Sequence, residues 1–147
     1  MKKFLAILII VLSTVVMLGS PKMQAELITY WKTNGIEYEE DDEEIWLPIT
    51  EDGNITVLIP KEADSIVFEF KTASKIDDYV ELFLKTEKLP YSEQFRKDLL
   101  ECLAEGLNYS VAFDEPLYSY FEQLDSYFVK VIFLYGMDKD IARLAIV

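Results

Sequence analysis

Histidine is missing altogether from this chain of 147 residues. That removes imidazole as general base, as metal ligand and as pH switch, and with it serine and cysteine triads built on a histidine. Cysteine occurs once, at Cys102, so the chain can form no internal disulfide. A lone thiol also leaves zinc without a soft ligand set. Cys102 falls on an apolar stripe at helical spacing, which marks it as a packed core thiol rather than a nucleophile. Basic residues are scarce: 14 Lys and Arg stand against 27 Asp and Glu, a net charge of −13. A domain of that charge repels nucleic acid and anionic membrane surfaces. No GxGxxG, P-loop or GxSxG pattern occurs. Neither a cofactor nor a metal is expected.

What is present begins with an export segment. Lys2 and Lys3 precede a run from Phe4 to Leu18 that is apolar except for Ser13 and Thr14, followed by Gly19, Ser20 and Pro21. Basic start, apolar centre and small-residue exit are the parts of a secretory signal peptide. The run is shorter than the ~20 residues that span a bilayer comfortably. Residues 1–25 are therefore read as a signal peptide cut after Ala25, with an uncleaved N-terminal anchor as the alternative. Met23 is the flaw in that cleavage site, because the −3 position prefers a small residue. Losing residues 1–25 removes three lysines and no acid, which takes the charge from −13 to −16. The expected location is periplasmic or extracellular, without stable membrane insertion once the segment is cut.

Residues 26–147 read as one small α+β domain. Strands are expected at 27–32, followed by a turn at Asn34-Gly35 and a second short strand starting at Ile36-Glu37-Tyr38, at 45–50 and 55–59 as a hairpin turning at Glu51-Asp52-Gly53-Asn54, and at 65–71, where Ile66, Phe68 and Phe70 alternate. A helical hairpin follows. Its first helix starts at a capping box on Ser74 and Asp77 and carries Ile76, Val80, Phe83 and Leu84. Its second is capped by Ser92, carries Phe95, Leu99, Cys102 and Leu103, and stops at Gly106. A strand at 107–113, a helix from Pro116 through Leu117, Phe121, Leu124 and Phe128, and a C-terminal hairpin of 127–135 with 141–147 complete the reading. Asp138-Lys139-Asp140 is its turn. The result is a mainly antiparallel sheet, an N-terminal hairpin or meander plus a C-terminal hairpin, packed against a helical hairpin and one further helix.

The densest charge is the run Glu39, Glu40, Asp41, Asp42, Glu43 and Glu44, between Tyr38 and Trp46. It lacks the glycine and the alternation of a calcium loop. Two uses remain: a solvated loop that guards a sheet edge against aggregation, or a docking patch for a basic protein. Aromatics beside charge favour docking. Tyr118 and Tyr120 offer a second candidate, a tyrosine-lined groove for a small ligand or peptide.

The layout of an export segment followed by a small acidic α+β domain resembles that of envelope inhibitors and immunity proteins. The resemblance is one of organisation and rests on no motif. It implies a non-enzymatic cell-envelope binding protein that docks a cationic partner through the acidic patch. A ligand-binding or assembly accessory using the tyrosine groove is the alternative, and a hydrolase built on a carboxylate pair the weakest reading.

Overall fold

In the computed structural model, which describes residues 22–71, 73–113, 117–124, 127–134 and 141–147, the first element is a helix, α1, over residues 22–33. Met23, Leu27 and Trp31 recur every four residues and are all buried. The helix closes on a Schellman motif. Gly35 takes φ +65°, the Gly35 amide donates to the Lys32 carbonyl at 3.4 Å, and the Ile36 amide reaches the Trp31 carbonyl at 2.9 Å. The turn expected at Asn34-Gly35 is there, but it ends a helix. The strand expected at 27–32 is overturned. Its β-branched and aromatic content mimics a strand, while the stripe that decides the matter begins at Met23, inside the segment assigned to the signal peptide.

Seven strands follow in one sheet, ordered β1-β2-β3-β4-β7-β6-β5, each antiparallel to its neighbours. They are β1 (Glu39–Glu40), β2 (Glu44–Pro48), β3 (Ile55–Pro60), β4 (Ile66–Phe70), β5 (Leu117–Leu124), β6 (Tyr127–Leu134) and β7 (Ile141–Ile146). Two meanders, β1–β4 and β5–β7, join where β7 pairs with β4. Alternation sorts the faces. Ile45, Leu47, Val57, Ile59, Ile66, Phe68, Phe70, Ala142, Leu144 and Ile146 are buried in the same core cluster as the helical side chains. Glu44, Trp46, Pro48, Leu58, Pro60, Val67, Glu69 and Ala145 alternate with them on the outer face and are half-buried. Pro48 sits where the two-residue β1 no longer covers β2, as its missing N–H requires.

Between the meanders lie a 3-10 segment (Ala73–Tyr79), α2 (Val80–Lys85) and α3 (Glu93–Phe113). No regular helix starts at Ser74: the segment is 3-10 with a non-helical Lys75, and the α-helix begins only at Val80. Phe83 is fully buried against Phe68 and Phe70, with ring centroids 5.7 and 5.8 Å away in edge-on contact. Ser92 caps α3 as expected, its hydroxyl accepting from the Phe95 amide at 3.1 Å. Leu99, Cys102 and Leu103 are buried. Gly106 does not stop the helix. It lies on the inward stripe, four residues after Cys102, and is itself buried, so α3 runs on through the expected strand 107–113. The helix expected from Pro116 is also overturned: 117–124 and 127–134 are β5 and β6, paired residue for residue from Leu117↔Leu134 to Leu124↔Tyr127. Leu117, Phe121, Leu124 and Phe128 fit a helical stripe, but Tyr- and Phe-rich segments suit a pleated surface better. The C-terminal hairpin is thus a three-stranded meander, and the further helix is α1. The Asp138-Lys139-Asp140 turn and residues 1–21 of the export segment 1–25 lie outside the described residues.

One side chain ties the helical layer together. Arg96, 6% exposed, donates to five main-chain carbonyls: Tyr91 at 3.1 Å, Phe83 at 3.1 Å, Leu84 at 2.8 Å, Thr86 at 2.8 Å and Leu89 at 2.7 Å. Burial pushes its pKa below the ordinary arginine value, with Tyr30 and Glu93 acting the other way. The carbonyls at the end of α2 carry the negative end of that helix's dipole and receive the charge in place of a carboxylate. The same loop takes the Trp31 indole N–H on the Lys88 carbonyl at 2.7 Å and the Tyr30 hydroxyl on the Glu87 carbonyl at 2.8 Å.

Phe83→Ala removes a fully buried ring and is expected to cost about 3–5 kcal/mol in urea unfolding. Arg96→Met is expected to cost at least about 3 kcal/mol by the same measurement, because it leaves buried carbonyls unsatisfied. Arg96→Lys recovers only part of that, since one ammonium cannot reproduce the fork. A loss below about 1 kcal/mol for Arg96→Met means that water replaces the guanidinium.

Candidate functional site

The six-acid run folds as the β1–β2 hairpin, and its register splits the charges. Glu39 pairs with Trp46 and Glu44 with Pro60, which puts Glu39, Glu44 and Trp46 on the outer face. Glu40 pairs with Ile45 and points to the opposite rim, where Lys61 Nζ sits 2.7 Å from its carboxylate. Asp41, Asp42 and Glu43 form the tip and are exposed.

Asp41 builds that tip. Its Oδ1 accepts from the Glu43 amide at 2.8 Å and the Glu44 amide at 2.9 Å, an Asx turn. Its own amide donates to the Glu44 carbonyl at 3.0 Å, and the Lys61 ammonium caps its carbonyl. The amides of Glu44 and Glu43, and then the charge of Lys61, hold the Asp41 carboxyl below its ordinary value of 3.8. Two of the six acids are therefore engaged, Asp41 in the turn and Glu40 with Lys61. Glu39, Asp42 and Glu43 carry the charge that faces solvent.

The two aromatics part company. Tyr38 is half-buried and packs its ring on Trp31, centroids 5.5 Å apart and tilted by 39°. Trp46 heads an outer-face row in which Trp46 pairs with Leu58, Leu58 with Val67, and Val67 with Ala145. Beside this row Glu69 meets Arg143 across β4 and β7, Oε2 to Nε, at 2.8 Å. The surface is thus a half-exposed apolar strip with an acidic hairpin at one end and an ion pair along its flank. Tyr118 and Tyr120 lie on β5, in register with Phe133 and Val131. Their side chains are outside the described set.

In comparisons with known proteins, no family model, no curated protein and no solved structure matches this chain.

The chemistry must then be read from the geometry alone. Among the described residues no three acids or thiols are gathered as a metal would need. A cleft of about 810 Å³ borders Tyr30, Lys88 and Arg96. Its cations are spent on the main chain, Arg96 as above and Lys88 Nζ on the Pro48 carbonyl at 2.7 Å. A second aspartate, Asp52, sits in the β2–β3 turn, where Gly53 takes φ +70°. The Thr50 hydroxyl at 2.7 Å, the Asn54 amide at 3.0 Å and the Tyr79 hydroxyl at 3.0 Å all donate to it and lower its pKa. It organises a turn, as Asp41 does.

Sequence reasoning missed Leu58, Val67 and Ala145 as surface, and Lys61 as the local counter-charge. Val67 was within reach: if Ile66, Phe68 and Phe70 face inward, Val67 and Glu69 face outward. Lys61 carried no signal, being 20 residues from Asp41 in the chain.

Because the folded Asp41 pKa lies below 3.8, the turn's stabilisation is present above that pH and is lost as pH falls through the folded value. The amide resonances of Glu43 and Glu44 are expected to titrate with a midpoint below 3.8, and Asp41→Asn, which keeps an Oδ1 acceptor, to abolish that titration while keeping the turn. A midpoint at or above the ordinary value shows that the Asx turn does not form in solution.

Proposed function

We propose that this chain is an exported, non-enzymatic binding protein that docks a cationic protein segment on the β1–β2 hairpin and the outer face beside it. The observation that carries the reading is the meeting of two features. Glu39, Asp42 and Glu43 project from a hairpin made rigid by Asp41 and Lys61, and the Trp46–Leu58–Val67 strip begins at the foot of that hairpin. Acids alone are a solvated edge guard. Acids held in place beside a half-exposed tryptophan have the composition of a binding patch, with charge at the rim and an aromatic anchor inside it. The occupant that fits is a basic segment with apolar side chains: lysines or arginines for the hairpin, aliphatic groups for the strip. The net charge of the chain points to the same partner, because it favours encounter with cations over wide distances.

The roles divide in a way that kinetics can read. Replacing Glu39, Asp42 and Glu43 by Gln, Asn and Gln spares the two acids that build the hairpin. The melting temperature is expected to stay unchanged or rise slightly, since the exposed acids repel one another. Association with a partner captured from the envelope fraction at low salt is expected to slow roughly tenfold or more, with a flatter dependence on ionic strength. Trp46→Ser is expected to act on the off-rate instead. An on-rate indifferent both to the triple change and to salt rejects the acidic hairpin and moves the search to Tyr118 and Tyr120.

A further inference from the structure

The bond after Ala25, the best match to a signal-peptidase site in the sequence, lies inside α1. Residues 22–25 form the first described turn of that helix, and they are bound into the fold. Met23 is 6% exposed and packs in the core with Leu27 and Trp31. The Gln24 amide nitrogen donates to the Ala63 carbonyl at 2.8 Å and to the Ser65 carbonyl at 2.7 Å, pinning the loop that leads into β4. Lys22 pairs with Glu26 at 3.6 Å. A cut after Ala25 deletes all three links. It also orphans the helical amides of the next four residues and places a new ammonium at the helix's positive end.

The processing rules point the same way. Met23 occupies −3 with a bulky side chain where a small one is preferred. The side chain that spoils the cleavage site is the one that fills the core. No bond after residues 13 to 25, the Ala25 bond included, has Gly, Ala or Ser at both −3 and −1.

We propose that the exported chain keeps residues 22–25, and that Met23 both protects the Ala25 bond from signal peptidase and anchors α1 in the core. The inference rests on the export reading, and the experiment separates the two. The full chain is expressed with its own N-terminus in a bacterium, its exposure outside the cytoplasmic membrane is checked by protease access in spheroplasts, and its N-terminus is read by intact mass. The wild type is expected to lie outside the membrane with its first residue at or before Lys22. Met23→Ala supplies the small −3 residue. It is expected to shift cleavage to the Ala25 bond and to yield a chain whose Tm is lower by at least about 5 °C. Met23→Leu is expected to keep both the wild-type N-terminus and its Tm. An exported wild-type chain that begins at Glu26 overturns the proposal and leaves export standing. A Met23→Ala chain that is exported but uncut overturns the protective role. A chain found only inside the cell overturns both readings.

Discussion

A single buried cation organises the helical half of this molecule. Arg96 faces no carboxylate; it is surrounded by main-chain carbonyls from the end of α2, from the loop after it and from the approach to α3. An isolated charge in an apolar interior is very costly, and five oriented dipoles are the compensation this fold offers. The arrangement works in both directions. The guanidinium needs the loop in one conformation to satisfy its donors. The loop, with its run of inward carbonyls, has no other way to bury itself. Trp31 and Tyr30 add two more donors from α1, so the loop at 86–91 is where all three helices meet. The aromatic cluster of Phe68, Phe70, Phe83 and Tyr91 sits directly beneath. A strained or shifted loop is therefore felt at once in the sheet core.

That constraint explains why the surface proposed for docking falls where it does. With the helices committed to one face of the sheet, the other face is left to solvent on half-buried side chains. An open sheet face beside a two-residue edge strand invites pairing with other copies, and the acids of the hairpin guard against that. The edge-guard reading and the docking reading of Glu39–Glu44 are thus not rivals in physical terms. The same charges that turn away an equally acidic copy draw in a basic partner.

The class of fold was legible in the sequence, and so were the hairpin at Asp52-Gly53 and the inward stripe of α3, because each rests on local periodicity and turn chemistry. Three segments were not. Residues 27–32 have strand composition but lie on a helical stripe that starts at Met23, and assigning Met23 to a leader hid the period. Residues 107–113 continue a helix through a glycine that is tolerated because it packs inward. Residues 117–128 satisfy both a helical and a strand pattern, and only pairing with β7 and its neighbours decides between them. At the surface, the acid run was plain. Its division into structural and solvent-facing charges was not, because that depends on Lys61 and on strand register, which are set across the sheet.

The place of β7 in the sheet has a consequence for how the domain comes to exist. β7 is last of the seven strands in the chain, yet it lies between β4 and β6, paired on both sides from Ile141 to Ile146. Until it arrives, β1–β4 and the β5–β6 hairpin are separate ribbons, each with an edge of unpaired amides and carbonyls. In a chain synthesised and threaded from its N-terminus, the decisive pairing waits for nearly the whole of the described sequence to emerge. Contacts of that sequence separation form slowly. The delay is compatible with the export proposed above, because β7, which locks the sheet, follows all the other described strands in the chain.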